Sequence, residues 1–140
     1  MTPKRILLVE HFAPALKELA RTLHDEGYDV LLAEDGAGAV NAARRQLPDL
    51  ILLAVNLPPD PGHAGGVSWD GFVMLHWMRE LDELKTTPVV ILGDTDSDEL
   101  RDKARAAGAL GYFPKSREPQ LLISILRQIL PEPVTSRVAA

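Results

Sequence analysis

The stretch Asp49-Leu50-Ile51-Leu52-Leu53-Ala54-Val55-Asn56-Leu57-Pro58 decides how the chain is read. Its centre is an unbroken apolar run of strand length that passes into a loop at Pro58. An apolar run without polar alternation suits a strand buried on both faces, as in a parallel sheet covered by helices. The residue at its carboxyl end is Ala54, which carries no chemistry of its own.

Outward from this run the theme repeats. Residues 4–9, 29–33, 88–92 and 110–113 read as four further strands. The intervening segments have helical spacing. Pro14 sits near the start of the first helix, where a missing N–H costs nothing; Leu16, Leu19, Ala20 and Leu23 follow, and Gly27 stops it. Asp35 and Gly36 lead into a second helix ending near Gln46, with Ala39, Val40 and Ala43 on one face. A third runs from 71 to 83 with Phe72, Leu75 and Met78 inward. Asp96 and Glu99 form a capping box for a fourth reaching Ala107. Pro119 opens the fifth, with Leu122, Ile125, Leu126 and Ile129 inward, and Pro131 ends it. Strand and helix alternate five times, which implies an α/β domain with a parallel sheet between two helical layers. The purely apolar first and third strands belong at its centre. In such sheets function sits at the carboxyl ends of the strands, here Glu10 and His11, Ala54, Gly93 and Asp94, and Lys115.

Composition narrows the function classes. At 140 residues the chain suits one domain, and 46% hydrophobic with 25% charged residues is ordinary for a globular protein. The formal net charge of −5 argues against a nucleic-acid partner. The absence of cysteine excludes disulfides and thiolate chemistry. No signal peptide or membrane span is evident, so a cytoplasmic location is expected.

Several motifs together resemble the receiver domain of two-component response regulators. They are Lys4-Arg5-Ile6-Leu7-Leu8-Val9-Glu10, Ala33-Glu34-Asp35-Gly36, Pro48-Asp49-Leu50-Ile51-Leu52-Leu53, Leu57-Pro58, Trp69-Asp70-Gly71, Pro88-Val89-Val90-Ile91-Leu92, and Ala107-Gly108-Ala109 with Gly111-Tyr112. The resemblance implies a flavodoxin-like (βα)5 fold with strand order 2-1-3-4-5 over residues 1–131. The residues themselves read as an extended, proline- and glycine-rich loop at 56–70 and a mobile tail at 132–140. The resemblance also implies a phospho-accepting aspartate where this chain has Ala54, an acidic pair where it has Glu10 and His11, a hydroxyl where it has Gly93, and a lysine at Lys115. Ala54 offers no nucleophile, a carboxylate beside a histidine is a poor Mg²⁺ site, and Gly93 has no side chain to bond a phosphoryl group. The expectation is a pseudo-receiver, not an enzyme, without Mg²⁺, with a relic pocket of Glu10, His11, Asn56, Gly93, Asp94 and Lys115. The family's Lys-Pro bond is replaced by Lys115–Ser116, expected trans.

Bland readings stand beside the functional ones. Lys115 either pairs with Glu10 or Asp94, or forms with Glu10, His11 and Asp94 a small-molecule or anion site. His11, His63 and His76 match no metal-ligand spacing, so no metal is expected. Asp94 or Asp60 could accept phosphate only without a metal-holding acidic cluster. Val73 and Trp77, with Val67 and Trp69 in the long loop, form either a self-covered patch or a partner surface. Tyr112 falls on the aromatic that receivers use as a rotamer switch; it is either a fixed contact on the face made by the fourth helix, fifth strand and fifth helix, or a half-buried amphipathic tyrosine. Because the chain ends soon after the fifth helix, no output domain is expected. The leading expectation is a module that docks on a protein partner without phosphorylation. A homodimer stays open, and membrane partners are not expected. An enzyme of this fold is disfavoured because Glu10-His11-Phe12-Ala13-Pro14 is no phosphate-cradling loop.

Overall fold

The computed structural model describes residues 3–11, 13–56, 70–115 and 119–130. Five strands alternate with five helices: β1 (Arg5–Val9), α1 (Ala13–Asp25), β2 (Asp29–Ala33), α2 (Gly36–Gln46), β3 (Leu50–Ala54), α3 (Gly71–Arg79), β4 (Val89–Gly93), α4 (Asp98–Ala106), β5 (Gly111–Pro114) and α5 (Pro119–Ile129). All strand pairs are parallel and the sheet order is β2-β1-β3-β4-β5. β3 lies between β1 and β4, with Leu7 opposite Ile51 and Leu53 opposite Ile91.

Alternate residues of each central strand feed two cores. Leu7, Val9, Ile51, Leu53, Ala54 and Ile91 pack with Ala39 and Ala43 of α2, Met74, Leu75 and Met78 of α3, and Ala104 of α4. Ile6, Leu8, Leu50, Leu52, Val90 and Leu92 pack with Leu16 and Leu23 of α1 and Leu122, Ile123 and Leu126 of α5. Burial on both faces is why β1, β3 and β4 tolerate no polar alternation. Gly27 follows α1 at φ +96, the left-handed conformation that glycine adopts without strain.

Four local expectations are corrected. Helix α3 ends at Arg79 instead of 83, followed by a 3-10 turn at Asp82–Leu84. The Arg79 guanidinium donates to the Leu84 and Thr87 carbonyls at 2.9 and 2.8 Å, which ties the turn back against the helix. The cap of α4 is Ser97, whose hydroxyl accepts from Leu100 N at 3.2 Å, while Asp96 pairs with Arg101 at 2.9 Å instead of capping. In α5, Ile123 is buried and Ile125 turns outward. Strand β5 starts one residue later than read, at Gly111. The expected loop at 56–70, apart from its end residues, and the expected tail at 132–140 lie outside the described residues.

Candidate functional site

The carboxyl ends of β1, β3, β4 and β5 bring together the side chains of Glu10, Asn56, Asp94 and Lys115 with the backbones of His11 and Gly93. Ala54 closes β3 and is fully buried. Just beyond it, Asn56 bridges to Asp70, and Gly71 N donates to Val55 O at 2.8 Å, so α3 starts against the tip of β3. Asp70 caps that helix, accepting from Val73 N at 2.8 Å. Lys115 follows β5, and its N–H donates to Gly93 O at 2.7 Å. This bond points the lysine across the sheet edge towards β1.

The lysine is shared between two carboxylates. Its Nζ lies 2.5 Å from Glu10 Oε1 and 3.0 Å from Asp94 Oδ1. Glu10 is only 3% exposed, and its other oxygen accepts from His11 N at 2.8 Å. The Asn56 amide donates to Asp94 Oδ2 at 2.7 Å, which closes a chain from β1 through β5 and β4 to β3. Burial alone would lower the Lys115 pKa. Its hydrogen bonds to Glu10 and Asp94 outweigh this and raise it above the ordinary value. His11 enters only through its backbone, and its side chain faces outward from an exposed position.

Tyr112, which the sequence allows either as a contact on the α4–β5–α5 face or as a half-buried side chain, is 8% exposed. The reason is Gly93. Tyr112 pairs with Ile91, so Gly93 is its diagonal neighbour on the same face. A Cβ at Gly93 would fall on the Tyr112 hydroxyl and lie 2.6 Å from Cε2. The missing side chain thus creates the room the phenol fills. There its hydroxyl donates to Thr95 O at 2.5 Å, and the Arg101 guanidinium sits 5.6 Å above the ring. Burial pushes the Tyr112 pKa up, against the opposing Arg101 charge. Gly93→Ala is therefore expected to swing the ring outward, because the side chain moves more cheaply than β4. Nitration at Tyr112, read by mass spectrometry, should rise sharply, with a stability loss of about 1–3 kcal/mol. Unchanged reactivity would show that the glycine does not set the ring's position.

Residues 6–127 match the family described as the response regulator receiver domain. The chain belongs to that family. It is 31% identical over 81% of its length to the transcriptional regulatory protein PdtaR of Mycobacterium tuberculosis, of which it covers 50%. It is 25% identical over 90% of its length to protein PilH of Pseudomonas aeruginosa, of which it covers 97%. Among solved structures, the chemotaxis protein CheY4 of Vibrio cholerae superposes with a TM-score of 0.80 at 29% identity, covering 92% of this chain and all of that one. The chain spans about half the length of the first curated relatives it matches. The order 2-1-3-4-5 and the CheY-like neighbours establish the flavodoxin-like receiver fold. Receivers are signalling modules that work through partner proteins.

The remaining expected residues of this receiver scatter. Trp77 is 53% exposed on α3, and Val73 is partly buried. Met74, not singled out in the sequence, completes the buried face of that helix with Phe72, Leu75 and Met78. His76 is exposed, 4.0 Å from Glu80. Asp60, His63, Val67, Trp69 and the Lys115–Ser116 bond lie outside the described residues. Among the described residues no helix is long and apolar enough to cross a membrane. Two functional features escaped the sequence. The Asn56–Asp94 bond had no local signal. The Gly93–Tyr112 fit had one, a glycine diagonal to a tyrosine on the neighbouring strand.

Proposed function

We propose that this receiver is a pseudo-receiver, a non-catalytic signalling module that docks on a protein partner without being phosphorylated at the tip of β3. The observation that supports the reading best is the engagement of Lys115. The cation that would meet a phosphoryl group is already held by Glu10 and Asp94. Ala54, at the tip of the central strand, presents a methyl group where an acyl phosphate would need a carboxylate. Gly93 offers backbone only, and Tyr112 fills the volume a hydroxyl-bearing side chain would use.

The donor set does not suit Mg²⁺. A hard cation wants several oxygen ligands in an octahedral array. Here one Glu10 oxygen faces Lys115 and the other the His11 amide. Among the described residues no group of three or more His, Asp or Glu side chains is arranged to hold a metal. The alternative reading, a free anion site, meets the same engaged lysine.

Of the exposed apolar side chains, those on α3 and α5 are the proposed docking surfaces. Trp77 stands on α3, and Leu121 and Ile125 stand one turn apart on α5. A cytoplasmic setting is part of the same proposal.

The test is a Mg²⁺ titration followed by backbone amide shifts. Glu10, His11 and Asn56 are expected to show no saturable change at millimolar metal, in wild type. Ala54→Asp is expected to stay unlabelled by a small phosphodonor, since His11 and Gly93 are wrong as well. Saturable shifts centred on Glu10, or efficient labelling of that single variant, would overturn the reading.

A further inference from the structure

The segment from Asp94 to Ser97, between β4 and α4, is held at two adjacent points. The Asp94 carboxylate receives Lys115 Nζ and the Asn56 amide, one on each oxygen. The next residue gives its carbonyl to the Tyr112 hydroxyl. Asp94 itself is an exposed side chain, 58% accessible, so burial does not force it into this position. What holds it is the chemistry of its partners. An ammonium and an amide N–H₂ converge on two oxygens of one anion, which is the donor set of an oxyanion site.

We propose that Lys115 and Asn56 form an oxyanion site whose occupant is the chain's own Asp94 carboxylate, a tethered anion that fastens the β4–α4 segment without any phosphoryl group. The proposal rests on the preceding reading that the β3 tip is not phosphorylated, and it adds what takes the place of that event. The charge count supports it. Glu10, Asp94 and Lys115 together carry one net negative charge, so a free anion is repelled while Asp94 is in place. Without the Asp94 charge the cluster is neutral, and two donors, on Lys115 and Asn56, are left facing the same point. A small tetrahedral oxyanion, sulfate or inorganic phosphate, has the oxygens to take both.

The test compares wild type with Asp94→Ala by hydrogen exchange at the Leu100 and Arg101 amides, which bond to Ser97 at the end of the segment, first without and then with sulfate or inorganic phosphate. Sodium chloride at equal ionic strength controls for screening. Loss of the charge-assisted bonds is expected to speed exchange there by about tenfold, with the β3 amides unchanged. Sulfate or phosphate should restore protection in the variant and do nothing to wild type. In Asp94→Ala combined with Lys115→Met the restoration should vanish. Tyr112→Phe, which removes the neighbouring anchor, should loosen the segment without any response to the anion. Because Asp94 is exposed, the variant keeps its core, and unchanged β3 amides verify that. Unaltered exchange at Leu100 and Arg101 in Asp94→Ala would overturn the tether. Faster exchange that no oxyanion restores would overturn the site. Neither result depends on a phosphodonor, so failure here is distinct from phosphorylation of the wild-type chain, which would instead refute the pseudo-receiver reading.

Discussion

Gly71→Ala is expected to lower the melting temperature by about 10 °C, a loss of roughly 3 kcal/mol. Helix propensity alone predicts the opposite sign, because alanine is favoured over glycine by about 1 kcal/mol inside a helix. The packing decides. A Cβ at this position would press on the Ala54 carbonyl oxygen, with Ala54 C at 3.0 Å and Val55 Cα at 3.2 Å. Those atoms belong to the exit of the central strand and have no rotamer to change. The glycine is what lets α3 begin in contact with β3, and the hydrogen bond from Gly71 N to Val55 O depends on that approach. Thermal unfolding of the variant checks this. An unchanged or raised melting temperature would mean that the helix start can slide away from the strand.

Lys115→Met is expected to cost about 3 kcal/mol, the low end of the range for removing one partner of a buried ion pair. Glu10, at 3% exposed, is left without the ammonium it faces. The low end applies because Lys115 is itself partly exposed. The pH dependence has a definite sign. The Lys115 pKa is raised on folding, burial opposing and the bonds to Glu10 and Asp94 prevailing. Its contribution is therefore complete below the ordinary lysine value of about 10.4 and is lost as pH rises through the higher folded value. Denaturant titrations of wild type and variant should thus differ most near neutrality and converge in strong alkali. Glu10→Met combined with Lys115→Met should recover most of the deficit, because it removes the pair and not one partner. A double variant as unstable as the single one would show that the loss was packing and not charge.

The fold was legible because its decisive signals are local. The apolar runs at β1, β3 and β4 name buried parallel strands without reference to anything distant, and Gly27 marks a helix end by itself. The errors arose where two local choices compete. Asp96 and Ser97 both suit an N-cap, and Arg101, further along the helix, draws Asp96 away. Helix α5 carries Leu121, Leu122, Ile123, Ile125 and Leu126 in one short span, so periodicity could not tell which isoleucine faces the sheet. Leu47 takes the left-handed conformation at φ 48 after α2, where a glycine would have announced the turn. At the site, chemistry at single positions could be read from residue identity: Ala54 and Gly93 lack functional side chains in any structure. Arrangement could not. Whether Lys115 meets Glu10, Asp94 or both depends on three strand ends meeting in space, and the inward turn of Tyr112 depends on room left by a residue on another strand.

We propose that this receiver works without phosphorylation. Intact-mass measurement of the wild-type chain after incubation with a small phosphodonor and Mg²⁺ tests it most directly. The mass is expected to stay that of the unmodified protein. A gain of one phosphoryl group that hydroxylamine removes, as it does an acyl phosphate, would mean that the receiver is phosphorylated after all.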